Sequence, residues 1–191
     1  EGEGDVDAND DGVSSGPAVG WTYDDILQGL VTYSEFAQQA TGAMTGGWHY
    51  QPNNGGDNSP CGYTVLGLRA AEAANNVEAG VPTWVSAFTI NIATLTKTRL
   101  KTWVDLIQVA SGGSEYEPGR ASPGVNLLKT GNLLFQAPFA ASDDTVPASW
   151  YQSRVDAAMV YIQSNWGARH DGFWTVGWRS DDSLNLQTMY N

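Results

Sequence analysis

Apolar residues fall along this chain in two alternating rhythms. Leu100, Trp103, Val104 and Ile107 follow the i, i+3, i+4, i+7 spacing of one helix face, and so do Val155, Ala158, Met159 and Ile162. Ile26, Leu30, Tyr33 and Ala37 give a looser version of the same stripe. Between these segments lie stretches apolar on most sides. One runs from Cys61 through Val65, Leu66, Leu68, Ala70 and Ala71 to Ala73 and Ala74; another joins Val125, Leu127, Leu128, Leu133, Leu134 and Phe135. A helix apolar nearly all round is a buried one. The pattern predicts an all-α chain in which an amphipathic outer helix alternates with a buried inner helix, three times over. Helices are expected near 23–41, 60–75, 83–109, 123–136, 148–165 and 182–191. The Thr-rich stretch 94–102 is expected to interrupt its helix, because β-branched residues are weaker helix formers.

Each inner segment follows a Gly-rich aromatic turn. The first turn is Gly46-Gly47-Trp48-His49-Tyr50, the second Gly112-Gly113-Ser114-Glu115-Tyr116, the third Asp171-Gly172-Phe173-Trp174. Ser59-Pro60 and Ser122-Pro123 read as an N-cap followed by Pro at the first helical position, where its missing N–H costs nothing. Asp181 or Asp182 would cap the third inner helix. Residues 1–18 stand apart from this scheme as an acidic segment too poor in large apolar residues to fold alone, which leaves 19–191 as the helical domain.

Charge narrows the function. The 191 residues carry 9 basic and 21 acidic side chains, a formal charge of -12, and every basic residue lies at or after Arg69. Such a surface repels nucleic acid and anionic membranes. No run approaches the ~18 apolar residues of a membrane span. The acidity fits a secreted or cell-surface setting. The single Cys61 excludes an internal disulfide. The chain begins at Glu1 rather than Met, which suggests processing or a piece of something longer.

Gly46-Gly47-Trp48-His49-Tyr50, followed by Gly56-Asp57-Asn58-Ser59 and the apolar helix to Ala74, resembles the repeat of the prenyltransferase and squalene-cyclase type. Tyr161-Ile162-Gln163 running to Asp171-Gly172-Phe173-Trp174 is similar to the same family's turn. The resemblance covers about residues 20–191 and implies an α/α toroid of concentric inner and outer helices, here a partial ring of about three pairs. That toroid hosts cyclases, prenyltransferases, thioester proteins and non-catalytic surface proteins, so it implies function only weakly. Half a ring leaves apolar flanks open, to be covered by further sequence or other subunits.

The family's chemistry maps poorly onto this chain. Asp181-Asp182-Ser183 resembles the end of the cyclase acid motif, and Asp181 and Asp182 are the candidate catalytic residues. Arg179, however, stands where the supporting Asp belongs and would depress a neighbouring carboxylate. The plainer reading is a helix N-cap. Cys61-Gly62-Tyr63-Thr64 lacks the Gln of a thioester. A zinc site would have only His49 and His170 beside Cys61, so a buried structural thiol is expected. Trp48, Tyr50, Tyr116, Phe173, Trp174 and Trp178 would either line a sugar- or lipid-binding mouth or pack one repeat on the next, and packing is the expectation. In the N-terminal segment, Asp5, Asp7, Asn9 and Asp11, ending in Gly12, place oxygen ligands at alternate positions. This resembles the calcium loops of dockerin-like and thrombospondin type 3 repeats, and implies calcium. Ala18 at loop position twelve rules out a full EF-hand. The expected protein is a secreted or surface, non-catalytic structural or adhesive repeat protein that associates with copies of itself. A terpene-cyclase-type enzyme fragment and a carbohydrate-binding module are the alternatives.

Overall fold

The computed structural model describes residues 21–76, 88–119 and 124–166. These residues form five helices: α1 Tyr23–Ala37, α2 Asn58–Ala73, α3 Thr94–Ile107, α4 Leu127–Ala140 and α5 Ala148–Asn165. The fold is all-α, with isolated bridges joining Ser114 to Gln108 and to Asn126 and no strand among the described residues. The expected helix 182–191 lies outside the described residues, as does the 1–18 segment. The described residues of Glu1–Phe36 and Gly67–Ala93 make one compact unit, those of Ala37–Leu66 and Thr94–Asn191 another.

Local chemistry sets the helix ends, and it corrects several expectations. Ahead of α1, the Asp25 N–H donates to Thr22 Oγ1 (3.1 Å) while Asp25 Oδ2 accepts the Thr22 N–H (2.9 Å), a reciprocal capping box. α2 is capped by Asp57 instead of Ser59: Asp57 Oδ1 accepts the Ser59 N–H at 2.7 Å and its carbonyl accepts the Cys61 N–H. Pro60 therefore falls at the third helical residue, still inside the turn whose N–H groups have no helical partner. α4 begins at Leu127 rather than 123, because Asn126 in an extended conformation accepts the Lys129 N–H at 2.9 Å. It then runs past Pro138 to Ala140, since a proline in the last turn disturbs little helix beyond itself.

α3 is unbroken from Thr94 to Ile107, against the expected interruption. Thr98 and Thr102 return their hydroxyls to the Leu95 and Thr98 carbonyls, and Thr96 is buried, so packing overrides propensity. The helix nevertheless starts well after the expected residue 83. Residues 88–93 are not helical, because side chains take over their backbone bonds. Asn75 pairs with Ile90 in both directions at 2.7 Å, Gln28 pairs with Asn91 in both directions at 3.0 and 2.7 Å, and Asp24 accepts the Thr89 N–H.

In the second unit α4 packs against both α3 and α5. Val104, Leu133, Ala137 and Ala158 form its sealed centre, with Leu134, Trp150, Tyr151 and Val155 against them. Thus α4 is an inner helix as expected, although Lys129, Thr130, Asn132 and Gln136 are buried in it with the leucines. α2 is not buried all round. Cys61, Val65, Leu68 and Ala71 face inward, while Tyr63, Leu66, Ala70 and Ala73 are exposed.

One joint recurs. Gln38, just after α1, donates from Nε2 to the carbonyl of Gly46 (3.1 Å) in the following turn and to that of Thr96 (3.0 Å) on α3. Gln108, just after α3, donates in the same way to Gly112 (3.0 Å) and to Arg154 (2.8 Å) on α5. Gly46 and Gly112 both have positive φ, +87° and +88°, which glycine adopts without strain. A Cβ on either would strike a helix carbonyl, that of Arg99 or of Ala157. A second tie accompanies the Gln108 joint, where Asp105 accepts Lys101 (2.7 Å), Arg154 (2.8 Å) and the Trp150 indole (2.7 Å).

Candidate functional site

The densest polar cluster of the described residues gathers at the start of α2, around Asn58. This side chain is fully buried, and every polar atom of the residue is used. Its Nδ2 lies within bonding distance of Ser114 Oγ (3.1 Å) and of the Glu115 and Lys129 carbonyls (3.0 and 3.2 Å). Its Oδ1 accepts Gln136 Nε2 at 2.8 Å, its carbonyl accepts Asn132 Nδ2 at 2.9 Å, and its N–H donates to the Tyr116 carbonyl at 2.9 Å. The second turn, α2 and α4 are locked together through one amide.

Beside that lock stand three ionisable groups. Asp57 is buried, and burial pushes its carboxyl above the ordinary carboxylate range. Hydrogen bonds from the Tyr116 hydroxyl and the Ser59 N–H, with the Lys129 charge, pull it partly back, while Glu117 adds to the rise. The Tyr116 phenol is held far up by burial and by the bond to Asp57. Lys129, only 9% exposed, rests its ammonium 4.3 Å from the centre of the Tyr116 ring. Burial lowers its affinity for the proton, and Asp57 opposes the shift. The phenol keeps its proton and donates it as a hydrogen bond to the Asp57 carboxyl, beside a desolvated amine.

The residues singled out from sequence fall elsewhere. Asp5, Asp7, Asn9, Asp11, Asp181 and Asp182 lie outside the described residues, as do His170, Phe173, Trp174 and Trp178. Cys61 is buried and its thiol is pushed up by burial, the structural thiol expected. His49 sits edge-on to Tyr50 with ring centres 5.5 Å apart. Among the described residues no cluster of three His, Cys, Asp or Glu side chains is placed to hold a metal. Trp48 is buried as a packing residue, whereas Tyr50 is 75% exposed.

Sequence reasoning passed over Asn58, Lys129, Asn132 and Gln136. A signal was there: Asn126, Lys129, Asn132 and Gln136 draw a polar line through an otherwise apolar helix, and buried polar groups require partners. Comparison with known proteins adds no relative: no family model matches the chain, and no curated protein or solved structure matches it significantly.

Proposed function

We propose that this chain is a secreted or cell-surface, non-catalytic helical-repeat protein with a structural or adhesive role, which associates with copies of itself into a ring or filament. The supporting observation is the joint made twice, by Gln38 and by Gln108, each donating to a carbonyl of the turn that follows it and to one on a later helix, α3 or α5. Units of this kind bury their faces only against neighbours, so an array continues until something caps it. The acidic composition suits an extracellular medium rich in cations, and the toroid-like resemblance of the repeats belongs to the same reading. Sedimentation velocity over a hundredfold range of concentration, about 1 to 100 times the lowest detectable, tests it. A rise in sedimentation coefficient with concentration is expected. One monomeric boundary throughout would remove the proposal.

The carbohydrate-binding alternative draws on Tyr50, whose exposed ring stands next to the Asp57–Tyr116 pair. An aromatic face beside polar groups suits a sugar ring. Titration with simple oligosaccharides, read by Tyr and Trp fluorescence, separates the two: saturable quenching lost in Tyr50→Ala favours the sugar.

A further inference from the structure

The loop that joins the first turn to α2 is fastened through its main-chain N–H groups. Asn53 donates to the Ala37 carbonyl (3.0 Å), Gly56 to Met44 Sδ (3.2 Å) and Asp57 to the Trp48 carbonyl (2.9 Å). Gly55 donates to Gln39 Oε1 at 2.9 Å, and Gln39 Nε2 is anchored in turn on the Thr41 carbonyl at 2.8 Å. The Gln39 N–H and carbonyl are themselves bonded to Gly47 and Gly46, so its side chain departs from a fixed backbone. Positive φ at Asn53 (+52°) and Gly55 (+97°) brings the chain round. Asn54 stands exposed between them, its Nδ2 donating to Gln51 Oε1 at 3.2 Å.

Asn54-Gly55 is the only Asn-Gly pair in the sequence, and such a pair carries its own chemistry. Asparagine is thermally labile, and glycine offers its amide nitrogen to the preceding side chain without a Cβ in the way. That nitrogen gives up its proton and bonds to the asparagine Cγ. The Cγ–Nδ2 bond breaks, and Nδ2 takes the proton and leaves as ammonia, which closes a succinimide. Water then opens the ring. Breaking the new N–Cγ bond yields aspartate, whereas breaking the bond to the main-chain carbonyl carbon leaves the backbone running through Cγ as isoaspartate. We propose that Asn54-Gly55 is a deamidation site and that Gln39 gates it. The nitrogen that must attack is the one whose N–H Gln39 Oε1 holds. A proton shared with that acceptor is less free to leave, and the bond fixes the peptide plane that has to rotate for attack. Reaction therefore waits for the Gly55–Gln39 bond to open, a local event far smaller than global unfolding. Isoaspartate would add a methylene to the main chain just ahead of Asp57, the residue that caps α2, and would spoil the register of the N–H bonds on either side.

The experiment incubates the full chain at mildly alkaline pH and follows the peptide containing Asn54 by mass spectrometry, where deamidation adds about 1 Da. The folded parent should react at least about tenfold more slowly than the same chain in denaturant, where the Gln39 bond is gone. Gln39→Ala, shown by circular dichroism to keep its helices, should react about threefold or more faster than the parent, as the loss of one hydrogen bond allows. Gln39→Leu takes its place if the alanine variant does not fold. Gln108→Ala removes a comparable side chain from the second turn and should deamidate as the parent does. Equal rates for the parent and the Gln39 variant overturn the gate, and so does an equal acceleration in Gln108→Ala, which would trace the rate to general loosening. No reaction in denaturant, or a mass shift that persists in Asn54→Gln, overturns the site itself.

Discussion

The backbone of Trp48 and the thiol of Cys61 hold each other in both directions: the Trp48 N–H donates to Sγ at 3.0 Å, and the thiol donates to the Trp48 carbonyl at 3.6 Å. The first turn is thereby fastened to the first helical turn of α2. Burial holds the thiol protonated, and only a thiolate is a good nucleophile. Folded protein should therefore not react with a disulfide dye at pH 8, and should react fully in denaturant. Cys61→Ala is expected to lower stability by about 1–3 kcal/mol, since it empties volume and strips Trp48 N–H of its acceptor. Rapid labelling of the folded chain would contradict this placement.

Asn58 carries more polar contacts than any of its neighbours in the cluster, and its replacement should be correspondingly severe. Asn58→Ala leaves Gln136 Nε2, Ser114 Oγ and the Glu115 and Lys129 carbonyls in a dry interior with one partner fewer each, while Asn132 keeps the main-chain carbonyl it binds. A loss of at least about 3 kcal/mol in urea unfolding is expected, one to three for each stranded group. A loss below about 1 kcal/mol would show that water enters the cluster readily.

The shifts around Tyr116 have opposite consequences for acid and base. Asp57 binds its proton more tightly when folded, so its contribution is fully favourable below the ordinary value of 3.8 and is lost as pH rises through the raised folded value. Lys129 binds its proton less tightly when folded, so its contribution is unfavourable at low pH and recovers as pH climbs from the lowered folded value toward 10.5. Asp57→Asn abolishes the first titration. The stability of the variant minus that of the parent should therefore increase between pH 4 and pH 7, whatever its value at either end. A flat difference would mean that Asp57 ionises freely.

Glycine is required at some turns and only tolerated in a helix. Gly46→Ala or Gly112→Ala puts a Cβ on a positive φ and against a helix carbonyl, for an expected loss of about 2 kcal/mol or more. Gly67, within α2, has open space where a Cβ would stand. Gly67→Ala should raise stability by about 0.5–1 kcal/mol. Thermal melts of the three variants give the comparison directly.

Calcium is expected at Asp5, Asp7, Asn9 and Asp11, from the alternation of oxygen ligands ahead of Gly12. Calorimetric titration of the full chain should show uptake that disappears in Asp7→Ala. No heat at millimolar calcium would leave the segment an acidic tail.

Much of the architecture was legible because apolar spacing reports directly on burial. Leu100, Trp103, Val104 and Ile107 form the inner face of α3, and α5 spans the range its pattern predicts. Misreadings arose where side chains, rather than periodicity, settle the matter. Asp57 and Asn126 take the cap positions from Ser59 and Ser122, and Asn75 and Gln28 keep Ile90 and Asn91 out of a helix. Leu30 and Tyr33 obey the helical spacing perfectly well, yet spacing cannot say whether a partner is present to cover them. The Asn58 cluster was missed because its members come from three separate stretches, and a single sequence shows no proximity between them.

Every acceptor in the two glutamine joints is a main-chain carbonyl: Gly46 and Thr96 for one, Gly112 and Arg154 for the other. A carbonyl is supplied by any residue, so threonine and arginine both serve at that place, although Arg154 also donates from Nη1 to Gln108 Oε1 at 3.2 Å. The joint itself therefore demands little beyond the glutamine and the glycine, and the residue two places on can be as large as the buried Trp48 or as small as Ser114 while φ at the glycine stays at +87° or +88°. Two turns of unlike sequence can in this way share one shape.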